Sequence, residues 1–157
     1  MTFNDYIAQN GDGLISQEER SFPRTKEAKA QRLGLSDNDI KRLKSLKVTR
    51  YAGSINENDF NTPTLETIDL DKLVGYAYHS PENWYDALDD SVFHKLINLD
   101  RYDPKLFPTF ICREHSDMPC VIEKNRKYYI FCGGNHRLTI AKITGCKKAR
   151  VLVFREK

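Results

Sequence analysis

The apolar positions of this 157-residue chain fall into short clusters with two periods, and the change of period divides it. Through residue 60 the spacing is helical. Arg24 to Leu33 is rich in helix formers and stops at Gly34, the residue type that most easily closes a helix in the left-handed region. Ser36 stands where a second helix needs an N-cap, with Asp37 and Asp39 in its positive first turn. Ile40, Leu43 and Leu46 recur three residues apart and mark its inward face. Ser16-Gln17-Glu18-Glu19 has capping-box spacing and predicts a shorter helix ahead of Phe22-Pro23. Tyr51 to Thr64, with Gly, Ser, several Asn and a Pro, reads as a linker.

From Thr64 the pattern turns to strands. Leu65 to Leu70 alternates apolar and polar, as a half-buried strand does. Thr109–Cys112, Cys120–Glu123, Tyr128–Cys132 and Ala149–Phe154 are further strands, with a hairpin turn at Asn125-Arg126-Lys127. Asp71-Lys72-Leu73 is a turn or short helix, and Pro81 to Asp89 is turn-like or weakly helical. Ser91 to Leu99 predicts a helix with Val92, Leu96 and Leu99 inward, before Pro104 and Pro108 break the chain. Arg137 to Thr144 is a last helix, ended by Gly145. The elements predict an α+β fold. A small mixed sheet with packed helices occupies residues 61–157, and a short, helical, basic region occupies residues 1–60.

Composition supports an ordered core: 39% of residues are hydrophobic, with eight Phe and eight Tyr, so disorder is not the default. Charge is uneven. Arg20 to Arg50 holds ten Lys or Arg against three acids, a net +7, while Asn61 to Phe110 holds nine acids against four bases, a net −5. A basic block beside an acidic one suits an anionic partner, such as duplex DNA along residues 20–50, or docking of the two blocks on each other. No run approaches the roughly 20 apolar residues of a membrane span, and Met1-Thr2-Phe3-Asn4-Asp5 lacks the character of a signal peptide. Cys112, Cys120, Cys132 and Cys146 show no C-x-x-C pairing, so a cytoplasmic chain with reduced thiols is expected.

The chemistry concentrates in one loop. The apolar strand at 128–132 runs into Gly133-Gly134 and directly into a helix. A helix start offers N–H groups without intrahelical partners at the positive end of the dipole, and two glycines let backbone approach a ligand closely. Arg137 adds a planar fork that can grip a phosphate, and its head is expected to face solvent. His136 can donate a proton to a phosphate oxygen or shuttle one.

Ile130 to Lys142, followed by Gly145 and the strand Arg150–Phe154, resembles the nucleotide-binding box of the ParB/sulfiredoxin superfamily. Ile68-Asp69-Leu70-Asp71-Lys72-Leu73 is similar to that family's opening strand and turn, and Met118-Pro119-Cys120-Val121-Ile122 to its middle strand. The resemblance spans residues 64–157; its specific part is the G-x-H-R box. It implies a ParB/sulfiredoxin-like fold and places Gly133, Gly134, Asn135, His136 and Arg137 at the phosphates of ATP or CTP, with Mg²⁺ if phosphate is transferred or hydrolysed. It also implies alternatives: a ParB-like nuclease or partition-type DNA-binding module using the basic helices, or an interaction module without catalysis. Sulfiredoxins carry Cys where this chain has Asn135, and Asn cannot be a thiolate nucleophile. Cys132 lies nearby, but strand alternation points it elsewhere. Kinase-like members carry D-G-H-H-R, so with Gly133 in the Asp slot a carboxylate must come from another place. Glu82 is the candidate, giving His136, Arg137 and Glu82 as the catalytic set.

Two weaker patterns point to plainer readings. Asn10 to Glu19 is similar to an EF-hand loop, but Ala8 falls at its first ligand position, so a turn plus capping box is expected. Cys112, His115 and Cys120 match no common zinc spacing. His94, on the helix predicted at 91–99, is read as structural.

Overall fold

The computed structural model describes residues 25–94, 99 and 101–157. The EF-hand-like stretch, the capping box at Ser16 and the first cations of the basic block lie outside the described residues, as does Leu96.

Local sequence signals set the two leading helices. Helix α1 (Lys26–Arg32) begins at Thr25, whose side chain accepts from the Ala28 amide at 3.1 Å, and ends into Gly34 at φ +74°. Helix α2 (Asp37–Ser45) starts in a reciprocal capping box. Ser36 Oγ accepts from the Asp39 amide at 3.1 Å, and the Asp39 carboxylate accepts from the Ser36 amide at 2.9 Å. Those bonds hold the Asp39 carboxyl below its ordinary range. Leu43 is fully buried, Ile40 packs against the core, and Leu46 ends the face partly exposed.

The chain then builds a six-stranded mixed sheet: β1 (Thr49–Arg50), β2 (Thr64–Asp69), β3 (Leu73–Tyr76), β4 (Cys120–Lys124), β5 (Lys127–Cys132) and β6 (Lys148–Phe154). Their order across the sheet is β1-β3-β5-β4-β6-β2. β1–β3, β3–β5 and β4–β6 are parallel, whereas β4–β5 and β2–β6 are antiparallel. The β4–β5 hairpin turns through Asn125 and Arg126, both at positive φ (54° and 66°), the geometry whose twist matches paired strands. Helix α4 (Asn135–Ile143) leaves the end of the central strand β5. Single-turn helices occupy Glu57–Asp59, Leu70–Lys72 and Asp86–Leu88. Among the described residues no helix is long and apolar enough to cross a membrane.

Alternation along the strands separates two apolar layers. Val121, Ile130, Ala149, Val151 and Val153 share one core cluster with α4 (Leu138, Ile140, Ala141, Ile143) and with the inward residues Ala30, Leu33 and Leu43 of α1 and its neighbour α2. Cys120, Ile122 and Phe131 join Phe60, with Leu152 and Phe154 packed on them, in a smaller cluster. The stretch 51–63, expected as a linker, therefore has a packing role. Phe60 is buried against Phe131 and Phe154, and the Asn61 amide bonds to Arg155 O at 2.9 Å.

One predicted element changes type. Thr109–Cys112 is not a strand: Phe107–Phe110 forms a short helix, α3, with Pro108 in its first turn, where a missing N–H costs nothing. Two strands went unread. β1 is two residues long, and β3 is a short apolar run interrupted by Gly75, too brief to show a period. Gly75 is required there, because a Cβ would lie 2.1 Å from Thr49 O on the neighbouring strand.

Candidate functional site

Strand β5 carries the chain to Cys132, where Gly133 turns it at φ +65° and Gly134 becomes the N-cap of α4. Gly134 has an ordinary φ; its need for glycine is steric. A Cβ would sit 2.3 Å from Pro119 Cβ, so the loop lies flat against the segment entering β4. With glycine as the cap, no side chain caps the first turn of this nine-residue helix.

The five expected loop residues are together, with different tasks. The Asn135 side-chain amide donates to Val92 O at 2.7 Å, fastening the turn to the chain before His94. His136 is buried, its ring edge-on to Phe93 and to His94, each 4.9 Å away between centroids. Arg137 departs from expectation: its head is not turned to solvent. The guanidinium folds back, donating to Gly133 O and, at 2.7 Å, to Asp117 O, with the Asp117 carboxylate 3.7 Å away. Its side chain is 6% exposed, and burial draws its pKa down against the opposing charge of Asp117. The cause is the flat packing of the loop on Pro119, which leaves two carbonyls in reach of the fork and fixes Arg137 as a brace.

Histidines not expected at the site converge on it. His79 follows β3, packs edge-on to Tyr76 at 5.9 Å, and is held below its ordinary pKa by burial and then by the charge of His94. Tyr76 in turn shares a hydrogen bond with Thr139 of α4, and burial pushes its phenol pKa up. His136 and His94 are thus in ring contact at the start of α4, and the charge of His94 extends this imidazole chain to His79. The fourth histidine, His115, stacks on Phe110 at 4.7 Å and is lowered by burial and then by Arg137. The signal in the sequence was scarcity: the chain has four histidines, and all of them lie by this loop or in contact with groups that do.

Glu82 is elsewhere. It is exposed; its main-chain oxygen accepts from the Val48 amide at 3.2 Å, and no hydrogen bond or ion pair joins its carboxylate to the loop. Among the described residues no group of three or more His, Cys, Asp or Glu is placed to hold a metal ion. Cys112, His115 and Cys120 in particular do not converge as ligands; the Cys112 thiol donates to Lys148 O at 3.3 Å.

The basic block is split in use. Lys29 is fully buried, donating to Leu88 O and Phe93 O, both at 2.7 Å, with Asp90 at 3.4 Å. Lys26 pairs with Asp86 at 2.8 Å. Lys41, Arg42, Lys44, Lys47 and Arg50 remain exposed. The segment 88–94 is therefore held from two sides, by Lys29 of α1 and by Asn135 and His136 of α4.

Comparisons with family models, with curated proteins and with solved structures each find no match.

Proposed function

We propose that this chain binds the phosphates of a nucleotide, ATP or CTP, at the loop Gly133–Arg137, in the manner of a ParB/sulfiredoxin-like domain. The observation that carries the reading is the ring contact of His94 with His136 on the first turn of α4, with the charge of His94 felt by His79, beside a turn that has no side-chain cap and follows a positive-φ glycine. A helix start favours anions through its dipole and its outward N–H groups. Imidazoles beside it add donors whose charge rises when an anion arrives.

In this reading the backbone of 133–135 cradles the phosphates and His136 donates to a phosphate oxygen. Arg137 supplies fixed positive charge from beneath while keeping the loop in shape. Mg²⁺ would be held by the nucleotide's own phosphates and would neutralise their charge. Glu82 has no part at the loop, so neither hydrolysis nor transfer is assigned to it.

The test is calorimetric titration of the full chain with ATP, CTP and inorganic tripolyphosphate, with and without Mg²⁺. A nucleotide should bind, and tripolyphosphate should compete with it. His136→Gln should weaken binding by about 1.5–3 kcal/mol, the range of a charge-assisted hydrogen bond. Equal affinity in a folded His136→Gln variant, or no binding of any of the three anions, overturns the proposal.

A further inference from the structure

Cys120 and Cys132 oppose each other across the hairpin. They are register partners, the first residue of β4 and the last of β5. Directly opposed residues of an antiparallel pair have Cα atoms about 4.5–5.5 Å apart. A disulfide spans Cα separations of about 4.4–6.8 Å, so the backbone already has the right spacing. The ladder is irregular at this step: the next pair is Val121 with Ile130, which leaves Phe131 as the extra residue of a bulge. The two thiols act on each other's protonation as register partners, and the Cys120 thiol donates to Met118 O at 3.6 Å. Cys132 is exposed and Cys120 buried.

The same two segments are already tied on either side of the pair. Arg137 joins Asp117 O, three residues before Cys120, to Gly133 O, one residue after Cys132. A covalent bond between the cysteines would add to an existing junction rather than pull distant chain together. Chemical reactivity runs the same way. The interaction with Cys120 lowers the Cys132 pKa, whereas the same interaction and burial raise Cys120. Burial raises the two remaining cysteines, Cys112 and Cys146, neither of which lies on a strand of the sheet.

We propose that Cys132 and Cys120 form a hydroperoxide-reactive dithiol site, with exposed Cys132 as the attacking thiol, Cys120 as the resolving one and a Cys120–Cys132 disulfide as the product. It uses residues other than the phosphate contacts, and it stands or falls apart from nucleotide binding. The Cys132 thiolate attacks one oxygen of hydrogen peroxide. The O–O bond breaks, hydroxide leaves and is protonated to water, and Cys132 becomes a sulfenic acid. The Cys120 sulfur gives up its proton and attacks that sulfur; the S–S bond forms and a second water leaves. Two electrons pass from the two thiols, and one peroxide becomes two waters. A bridge at an exposed strand end beside a bulge belongs to the labile class, so small dithiols should reduce it.

The experiment treats the full chain with hydrogen peroxide, alkylates the remaining thiols over time and maps the peptides by mass. The expected product is a Cys120–Cys132 linked peptide that dithiothreitol reverses, with the Cys132 thiol lost about tenfold or more faster than Cys112. In Cys120→Ser, dimedone should trap a sulfenic acid on Cys132. In Cys132→Ser, Cys120 should remain a free thiol at the same dose. Cys112 reacting as fast as Cys132, or Cys132 passing to sulfinic acid in the wild-type chain without the linked peptide, overturns the proposal. The wild-type map decides the matter even where a variant does not fold.

Discussion

Arg137 shows how a residue's neighbours decide its task. A guanidinium after a glycine loop suits a ligand fork, but here two main-chain oxygens, of Gly133 and Asp117, stand within its reach in a buried setting. Arg137→Ala should therefore act on the fold as well as on anions. Losing bonds from a charged donor and leaving carbonyls without a partner should lower stability by about 2–4 kcal/mol. Urea denaturation reads this as a lower midpoint at unchanged slope. A midpoint within error of wild type would show that the brace carries no weight and that the fork is available to a ligand. Arg137→Lys should recover little, since one ammonium cannot span both carbonyls as the planar fork does. The residue types at 133–137 were legible in the sequence as a site; the direction of Arg137 was not. That direction depends on Pro119 and Asp117, which come from another strand entrance.

Between elements, the segment 88–94 joins the first helix to the last. Lys29 reaches from α1 to Leu88 O and Phe93 O, and Asn135 reaches from α4 to Val92 O. Lys29→Met keeps most of the buried stem and removes the donors. It should cost about 2–4 kcal/mol through the two buried carbonyls left behind. Hydrogen exchange at the amides of Val92 and Phe93, both bonded to Asp89 O, should accelerate, while β5 and β6 keep their protection. Uniform acceleration over the whole chain would mean that Lys29 stabilises the fold at large rather than this segment. Sequence showed the helices well, because caps and stop signals are local: Ser36 with Asp39 and Gly34 stand where expected. It showed β2 through its alternation and β4, β5 and β6 as short apolar runs. It missed β1 and β3, and it took α3 for a strand, because at two to four residues no period exists to be read. A run of cations gives no hint that one lysine is buried, because that outcome depends on carbonyls about sixty residues away.

At the scale of the molecule, charge ties the sheet's far side and histidine ties the helix side, so acid should act in two stages. Arg155, just past β6, bonds to Glu66 of β2 and at 2.8 Å to Glu123 of β4. It holds the Glu66 carboxyl down at about 2, against an ordinary 4.5. A carboxyl depressed in the fold stabilises fully above its unfolded value and loses that contribution as pH falls from about 4.5 towards 2. The side chain is 33% exposed, so solvent and salt screening reduce its share. His79 and His115 act earlier. Both are held below 6.5, chiefly by burial. As pH falls below 6.5 the unfolded chain takes up protons that the folded imidazoles refuse, so stability declines there too, by at most about 1.4 kcal/mol per pH unit for each group. Urea midpoints should fall between neutral pH and about pH 5, then again below about pH 4.5. Glu66→Gln should flatten only the second stage, and His79→Gln should reduce the first, leaving the share of His115. An anion at the start of α4 favours protonated imidazoles, so saturating tripolyphosphate should shrink the first stage and leave the second unchanged. A first stage that survives His79→Gln intact would place its source outside the imidazole chain, and one that tripolyphosphate does not move would separate that chain from the anion site.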